Sequence, residues 1–314
     1  MRAMHYTKYA GPLTPVELPQ PVPGANQVLV QVHAGSVNPI DWKQASGKMK
    51  FIMPVKLPCV PGYDLAGVVV AAGPGADKFT VGMRVHTRLS GLNGGASAEF
   101  ALCGTDVLTP MPTVFDFAQA AGLPLAGMTA LQGLRDQTGL PMQGATERVL
   151  VVGASGGVGH IAVQIARAAG AHVVGVCSAR NAALVRELGA HEAIDYAAAN
   201  PYAGQAPFDI VLDCVGGDPG PWLPLLTAKG RYASTVPGPA VMLRMLLNPF
   251  TGRSVKPVML KSSATDLQVL DTLAQAGKLK VVVDSTFPLA QLAEAWAKSK
   301  SSRVVGKLVI TVVN

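Results

Sequence analysis

One segment of the chain combines an apolar run with closely spaced small residues, a pattern suited to holding phosphate groups. It reads V-L-V-V-G-A-S-G-G-V-G-H-I-A-V-Q-I-A from Val149. The apolar start predicts a strand that ends at Gly153, and the apolar spacing from Gly157 to Ala169 predicts a helix. The chemistry of this segment therefore lies in the turn between a strand and a helix.

That turn has the glycine spacing of dinucleotide-binding sites, with Ala154 in the first glycine position. Gly156 lets the backbone approach a pyrophosphate, and Gly159 lets helix and strand pack closely. Free amides at the start of the helix bind the phosphates. A tight turn with a purely structural role is the alternative. The predicted cofactor contacts form one run: Ala154, Ser155, Gly156, Gly157, Val158 and Gly159.

The end of the next strand, V-V-G-V-C, bears on the choice of nicotinamide cofactor. An Asp or Glu there accepts hydrogen bonds from the ribose hydroxyls of NAD, but this chain reads C-S-A-R-N from Cys177. Ser178 and Arg180 suit the 2'-phosphate of NADP, because Arg donates charge-assisted hydrogen bonds to phosphate oxygens. Alternatively, Ser178 caps the next helix and Arg180 is solvated. Both interpretations can hold together, and we expect NADPH.

Neither a metal site nor a hydrolytic triad is indicated. None of the six histidines has metal-binding spacing, and no Ser/His/Asp arrangement argues for hydrolysis. The cysteines are far apart and form no C-x-x-C pair: Cys59, Cys103, Cys177 and Cys214. We therefore expect no bound metal and reduced thiols.

The charge balance is basic, with a formal net charge of +7. Lys and Arg are scattered singly, so a nucleic-acid surface is disfavoured. A positive field attracts a dinucleotide phosphate, although solubility alone also explains the charge. The amino terminus M-R-A-M-H-Y-T-K-Y lacks an apolar signal segment, and no stretch of about 18 apolar residues occurs. We expect no membrane span and a cytoplasmic location.

The predicted elements that must position these residues differ between two parts of the chain. At 314 residues and 49% hydrophobic content, the chain can fill two cores. The first third predicts strands separated by Pro and Gly clusters, including Gln27 to His33. Near Phe115 the texture becomes helical, and short apolar strands then alternate with helices. This alternation is typical of a parallel sheet covered on both faces, so we place a domain boundary near residue 120.

Seven ordered blocks resemble the medium-chain dehydrogenase/reductase superfamily, specifically its zinc-free quinone oxidoreductase branch. The combination of N-P-I-D-W-K with V-C-S-A-R-N is most similar to chloroplast-envelope quinone oxidoreductase homologues and alkenal/one oxidoreductases. Besides the glycine turn, the blocks are S-V-N-P-I-D-W-K-Q-A-S-G from Ser36, P-G-Y-D-L-A-G-V-V from Pro61, V-G-M-R-V from Val81, G-G-A-S-A-E-F from Gly94, P-L-A-G-M-T-A from Pro124 and G-K-L-V-I-T-V from Gly306.

The resemblance implies an α/β fold of two domains. A GroES-like β-rich catalytic domain covers residues 1–121, and a Rossmann NADP-binding domain with a doubly wound parallel sheet covers residues 122–257. The C-terminal segment, residues 258–314, returns to the catalytic domain. We expect helices near residues 266–276 and 289–299, followed by a terminal strand. A homodimer is compatible with this family.

The resemblance also implies the site. Zinc alcohol dehydrogenases of the superfamily have Cys near the position of Asn38 and G-H-E where this chain reads G-Y-D from Gly62, so their zinc chemistry does not carry over. Asn38 aligns with a polar residue beside the nicotinamide, Lys43 with a pocket tyrosine, and Tyr63 with a zinc-binding histidine. Alternatively, Asn38 forms a turn, Lys43 is exposed and Tyr63 is half-buried.

Further cofactor contacts follow from the same resemblance. Thr129 contacts the cofactor near the nicotinamide and Tyr196 contacts the adenosine half. The end of a later strand lines the cofactor site through its backbone, at Cys214, Val215 and Gly216. We expect Asp41 and Asp64 to be structural hydrogen-bonding residues.

The implied reaction is hydride transfer from NADPH to a quinone, or to the β-carbon of an enone or enal. The negative charge that develops on the carbonyl oxygen then needs hydrogen-bond donors, because zinc is missing; Asn38, Lys43 and Tyr63 are the candidates. Solvent or one of these residues supplies the final proton. The alternatives are a non-catalytic NADPH-binding sensor or structural protein, and an alcohol or aldehyde oxidoreductase.

Overall fold

A computed structural model describes residues 1–313. The strands of the described chain are β1 Arg2–His5, β2 Thr14–Glu17, β3 Gln27–Val37, β4 Asp64–Ala72, β5 Arg84–Arg88, β6 Phe100–Gly104, β7 Leu108–Pro110, β8 Arg148–Val152, β9 His172–Cys177, β10 Glu192–Asp195, β11 Phe208–Asp213, β12 Leu226–Ser234, β13 Ser254–Pro257, β14 Val283–Pro288 and β15 Lys307–Thr311.

The helices of the described chain are mostly short. They are α1 Pro39–Ala45, α2 Phe117–Gly122, α3 Pro124–Gln132, α4 Gly159–Ala169, α5 Ala182–Glu187, α6 Pro239–Leu246, α7 Asn248–Thr251, α8 Ala264–Gln275 and α9 Leu292–Lys300. Within residues 1–313, none of these helices has the length and apolar character needed to cross a bilayer.

The chain divides into two compact units. Unit 1 comprises Met1–Leu125, Ser262–Gln275 and Val281–Asn314, and unit 2 comprises Ala126–Lys261 and Ala276–Lys280. The first unit is thus assembled from chain segments that lie far apart in sequence.

Unit 1 is built on a seven-stranded sheet in the order β14-β15-β3-β4-β5-β7, with β6 also paired to β3. Neighbouring strands are antiparallel except for β14 and β15. Alternate residues of β3, including Val28, Val30 and Val32, point into an apolar core, as the period of a strand requires. The last strand, β15, lies inside the sheet and pairs Leu308 with Val37.

A buried histidine attaches α8 to this sheet. His86 on β5 is fully buried; its Nδ1 lies 3.0 Å from the carbonyl oxygen of Ala120, and its Nε2 lies 3.2 Å from Oδ2 of Asp271 on α8. Thr109 on β7 donates to the same carboxylate at 3.2 Å. Because buried polar groups are costly unless partnered, these bonds fix the helix at one place on the sheet.

Unit 2 contains a six-stranded sheet in the order β10-β9-β8-β11-β12-β13, and every neighbouring pair is parallel. The chain starts in the middle at β8, moves outward to β10, and then returns to continue from β11. This order confirms the predicted doubly wound Rossmann sheet. Such a sheet binds ligands where the order reverses, at the carboxyl ends of β8 and β11.

Candidate active site

The glycine turn of unit 2 leaves no room for a side chain at Gly159. Gly153, directly after β8, has a φ of +74°, which favours glycine. A Cβ atom at Gly159 would lie 2.1 Å from the carbonyl oxygen of Gly153. The first turn of α4 therefore packs directly on the end of β8, as the sequence predicted for Gly159, and its amides face the edge of the sheet where ligands bind.

A second loop completes this crevice. Asp213, the buried last residue of β11, accepts hydrogen bonds from the amides of Val215 at 2.8 Å and Gly216 at 2.9 Å. The hydroxyl of Tyr232 donates to its other oxygen at 2.7 Å. Burial raises the pKa of the thiol of Cys214, so this cysteine stays protonated in the loop. The carboxylate thus fixes the backbone that was predicted to line the cofactor site.

Several polar side chains lie around the end of β9. Ser178 and Arg180 follow the strand; Ser178 is half-buried and Arg180 is exposed. Asn181 donates from Nδ2 to the hydroxyl of Ser155 in the glycine turn at 2.9 Å. Tyr196 is exposed, and its amide donates to the carbonyl of Cys177 at 3.2 Å. The structure therefore brings Ser155, Ser178, Arg180 and Tyr196 to one edge of the sheet.

The rest of this edge bears on the two interpretations of Ser178. The Ser178 side chain makes no capping hydrogen bond to the following turn. Asp195, at the end of β10, pairs with Cys177 in the sheet, but its carboxylate accepts from the amide of Ala197 at 3.1 Å.

The sequence did not indicate Asn181, whose role comes from its contact with the glycine turn. Thr129 is buried on α3.

These features fit a dinucleotide. The close packing at Gly159 sets the start of α4 against the end of β8, and helix amides at such a start are suited to bind a pyrophosphate. The Val215 side chain reaches the glycine turn, since its Cγ2 lies 2.8 Å from the place of a Cβ at Gly153. Both loops therefore line the same crevice of unit 2.

Unit 1 holds a buried polar cluster at the end of β3, centred on Asn38. The side chain is 2% exposed. Its Nδ2 donates to Oδ2 of Asp64 at 2.8 Å, and its Oδ1 accepts from Nζ of Lys307 at 2.6 Å. A carboxylate that only accepts and an ammonium that only donates fix the orientation of the amide. The predicted turn role also holds, because Asn38 immediately precedes α1.

Asp64 connects the other polar groups of this cluster. Its carboxylate accepts from the hydroxyl of Ser36 at 2.9 Å and from the amide of Leu125 at 3.0 Å, and lies 3.9 Å from the Lys307 ammonium. Burial raises the pKa of Asp64, and Lys307 opposes this rise. Burial lowers the pKa of Lys307, which is 3% exposed, and Asp64 opposes that change. Each charge compensates for the desolvation of the other.

Asp41 lies beside this pair. Its Oδ2 accepts from the backbone amide of Asn38 at 2.7 Å, whereas its Oδ1 has no hydrogen-bond partner among the described residues. A cavity of about 10 Å³, lined in part by Asp41, Asp64 and Ser97, adjoins it, enough for roughly one water. Burial, assisted by the nearby Asp64, raises the pKa of Asp41 to about 7.

This raised pKa gives a stability prediction. The folded state binds the proton of Asp41 more tightly than the unfolded state does, so its contribution to stability is complete below about pH 4 and is lost as the pH rises through about 7. In the isosteric variant Asp41→Asn no charge can form. We expect its free energy of unfolding in urea to match wild type near pH 4 and to exceed it above pH 7. An advantage of wild type that grows with pH would contradict this.

Tyr63 and Lys43 contact other residues than Asn38 does. The Tyr63 hydroxyl is buried, 2.6 Å from the carbonyl oxygen of Leu92 and 2.8 Å from Oε1 of Gln44. The Arg88 guanidinium lies 4.9 Å from the centre of its ring. Burial raises the pKa of Tyr63 to about 12. Lys43 is half-buried on α1, with its ammonium 5.6 Å from the Trp42 ring centre.

The residues at this site do not fit zinc. Asn38 and Tyr63 provide an amide and a phenol, which are both engaged with protein groups, in place of the thiolate, imidazole and carboxylate ligands that zinc prefers. Within the described residues, no three His, Cys, Asp or Glu side chains lie close enough together to hold a metal ion.

Two family models match this chain. A family model described as alcohol dehydrogenase GroES-like domain matches residues 24–113, and one described as zinc-binding dehydrogenase matches residues 188–310. A solved structure of the quinone oxidoreductase from Coxiella burnetii superposes with a TM-score of 0.88 at 31% identity, covering 100% of this chain and 99% of that one.

Curated relatives include organellar oxidoreductases. A chloroplast envelope quinone oxidoreductase homolog of Arabidopsis thaliana is 38% identical, covering 99% of this chain and 98% of the relative. A chloroplastic NADPH-dependent alkenal/one oxidoreductase of the same plant is 34% identical, covering 91% and 72%. A mitochondrial NAD(P)H oxidoreductase of Homo sapiens is 32% identical, covering 92% and 82%.

The prediction of a cytoplasmic location is wrong, because these chloroplast and mitochondrial relatives point to an organelle. The prediction relied on unpaired cysteines and on the lack of an apolar segment. Unpaired cysteines indicate a reducing compartment but do not distinguish one such compartment from another.

Proposed function

This chain belongs to the medium-chain dehydrogenase/reductase superfamily and is an oxidoreductase, and from that premise we propose that it uses NADPH to reduce quinones or the C=C bond of α,β-unsaturated carbonyls without zinc. The observation that carries this proposal is the Asn38 amide held between Asp64 and Lys307. It offers a fixed hydrogen-bond donor at the position where zinc dehydrogenases of the superfamily coordinate a metal.

A nicotinamide held at the glycine turn of unit 2 would supply the hydride. The task of the chain is to bind the two reactants and to stabilise the charge that develops on the substrate oxygen. The Asn38 amide nitrogen carries two hydrogens, of which Asp64 accepts one; we assign the other to the substrate oxygen. A donor oriented in advance needs no reorganisation during the reaction, which is the condition for strong electrostatic stabilisation.

Lys307 strengthens this donor. Its ammonium lies 2.6 Å from the amide oxygen, so it draws electron density away from the amide nitrogen and makes the remaining N–H a better donor. It also prevents the amide from turning over, because an NH₂ group facing an ammonium would have no acceptor. Lys307 is therefore a positioning residue that acts through Asn38.

The other two candidates have lesser roles. Tyr63 donates its single hydroxyl proton to a protein carbonyl, that of Leu92 or of the Gln44 side chain, so we assign it to shaping the site. The ammonium of Lys43 has no ion-pair partner among residues 1–313. The final proton comes from Lys43 or from solvent.

The preference for NADPH follows from Arg180 and Ser178. A charge-assisted hydrogen bond contributes roughly 1.5–3 kcal/mol, so Arg180→Ala should weaken NADPH binding by about ten- to a hundredfold. NADH, which lacks the 2'-phosphate, should bind almost as before, and kcat should change little because the contact is remote from the reacting carbon. Fluorescence titration with both cofactors measures this. Equal weakening of both would exclude a phosphate contact. Ser178→Asp should shift the preference toward NADH.

Zinc independence is tested by elemental analysis. We expect the purified protein to contain no stoichiometric zinc and to keep its activity in chelators, because the zinc-ligand positions are taken by Asn38 and Tyr63. One tightly held zinc per chain, together with activity lost in chelator and regained on adding zinc, would overturn this assignment.

Substrate class is tested by following NADPH oxidation at 340 nm with a panel of quinones, enals, enones and aldehydes. Turnover with quinones or enones supports the proposal. NADPH binding without turnover of any of them would favour a sensor or structural protein, and turnover restricted to aldehydes would favour an alcohol or aldehyde oxidoreductase.

A further inference from the structure

Arg88, the last residue of β5, has a guanidinium whose donors are only partly used. The side chain is half-buried. Its Nη1 donates to the hydroxyl of Ser262 at 2.5 Å and lies 3.5 Å from the carbonyl oxygen of Leu89. Nε is buried without a hydrogen-bond partner among the described residues, and Nη2 has none within residues 1–313 either. The N–H of Nε and both N–H bonds of Nη2 are therefore unused.

The surroundings of Arg88 fix its guanidinium plane. The centre of the Tyr63 ring lies 4.9 Å from the guanidinium carbon, within the range of a cation–π contact. Across the antiparallel pair β4 and β5, Arg88 is directly opposite Asp64, and opposite residues point to the same face of a sheet. The guanidinium is thus held on the side of the sheet where the Asp64 carboxylate binds the Asn38 amide.

The carboxylates of the protein do not occupy this guanidinium. Within the described residues, Arg88 takes part in no ion pair. Oδ2 of Asp64 already accepts from Ser36 and Asn38, and its Oδ1 accepts from a backbone amide. Burial raises the pKa of Asp64, and Lys307 opposes this rise more than Arg88 does. Arg88 is therefore not the main counter-ion of the cluster.

The unused edge of Arg88 matches one kind of acceptor. Donors left unpaired inside a protein are costly, and native structures keep few of them. A carboxylate suits an arginine best, because its two oxygens accept two parallel N–H bonds. Nε and Nη2 of Arg88 provide such a pair on one edge of the guanidinium. Partial burial strengthens the bond, since less water screens the charges. This edge therefore has the chemistry of a carboxylate subsite.

We propose that Arg88 binds a carboxylate of the substrate while the Asn38 amide donates to the substrate's carbonyl oxygen. This role of Arg88 rests on the function proposed above and narrows it to α,β-unsaturated carbonyl compounds that also carry a carboxylate. The contact is made both before and during hydride transfer, so it lowers KM and leaves kcat nearly unchanged. Arg88 is thus a specificity-determining residue, and Tyr63 and Ser262 position its guanidinium.

A purely structural role for Arg88 makes a different prediction. If the guanidinium only packed on Tyr63 and compensated the charge of Asp64, its removal would impair anionic and neutral substrates alike. If it binds a carboxylate, its removal impairs the anionic substrate alone. The ratio of kcat/KM for two substrates that differ only in this charge separates the two roles, because a general loss of active protein cancels in that ratio.

The test follows NADPH oxidation by the full-length protein with two enones that end in a carboxylate, 6-oxohept-4-enoate and 7-oxooct-5-enoate, each beside its methyl ester. With wild type we expect kcat/KM for at least one acid to exceed that for its ester by about ten- to a hundredfold. Arg88→Met should bring this ratio to about one by raising KM for the acid, and should change kcat/KM for the ester by less than about threefold. Arg88→Lys keeps the charge but not the planar fork, so it should retain part of the preference.

Arg303→Met is the matched control. Arg303 is exposed, belongs to unit 1 and takes part in no ion pair among the described residues, so this variant loses the same charge but should keep the wild-type ratio. NADPH binding and thermal unfolding verify that each variant is folded. Reduction of acids and esters with equal kcat/KM by wild type, or an equal loss of both in Arg88→Met, would overturn the role of Arg88 and leave the proposed reaction intact. If wild type reduced neither acids nor esters, the proposed reduction of enones would itself be contradicted.

Discussion

Replacing Asn38 by alanine is expected to lower kcat for quinone or enone reduction by about 10²- to 10³-fold, the usual cost of removing one donor from a site that stabilises an oxyanion. Asn38 belongs to unit 1 and the glycine turn to unit 2, so the NADPH dissociation constant should stay within about twofold. Steady-state kinetics and a fluorescence titration with NADPH separate the two effects. An unchanged kcat would remove Asn38 from the mechanism.

Variants of residues near Asn38 test whether kcat depends on the orientation of its amide or only on the packing of the cluster. Lys307→Met removes the ammonium from the amide oxygen but keeps the length of the side chain, so we expect a smaller loss of kcat, about ten- to a hundredfold, with KM little changed. Ser36→Ala removes another donor from the same Asp64 carboxylate and should change kcat by less than about tenfold. If Ser36→Ala were as damaging as Asn38→Ala, the cluster would be structural only.

Gly159→Ala is expected to disrupt the proposed cofactor site. The added Cβ meets the carbonyl oxygen of Gly153 at 2.1 Å, so α4 must move away from β8. We expect the free energy of unfolding to fall by about 3 kcal/mol or more. Two phosphate contacts at roughly 1.5–3 kcal/mol each would be lost, which weakens NADPH binding by about a hundredfold or more. Urea unfolding and titration with NADPH measure both quantities.

Two other glycines in unit 2 serve as controls. Gly238 has open space around the place of a Cβ and an extended φ of −138°, so Gly238→Ala should leave stability and NADPH binding nearly unchanged. At Gly156 the nearest atom to a Cβ is 3.3 Å away. Gly156→Ala should therefore fold but bind NADPH weakly if the pyrophosphate lies against that backbone. Normal NADPH affinity in Gly159→Ala would refute the assigned site.

The elements that the sequence predicted well are those whose signal is local. The run from Val149 to Gly153 is continuous and apolar, as a buried parallel strand requires, and the structure has β8 there with α4 after it. Helices expected near residues 266–276 and 289–299 are present as α8 and α9. Periodicity and glycine spacing within a short window carry this information.

The polar cluster of unit 1 could not be predicted in this way. Lys307 is the first residue of a strand after a glycine, a position where a lysine is ordinarily solvated. Its burial depends on a partner 269 residues away, Asn38, and on Asp64 in a third segment. The partners of Tyr63 were missed for the same reason, since Leu92 lies in a loop that no local pattern marks. Side chains joined only by the tertiary fold leave no periodic signal.

The position of β15 inside its sheet has a consequence for biosynthesis. A chain leaves the ribosome amino end first, and domains near the amino end generally fold first. Here the first 125 residues lack the strand that pairs with Val37 until β15 emerges. The Lys307 ammonium reaches Asn38 at the same moment. Unit 2 can close earlier, so a nascent chain can form its parallel sheet before Lys307 holds the Asn38 amide that we propose to be catalytic.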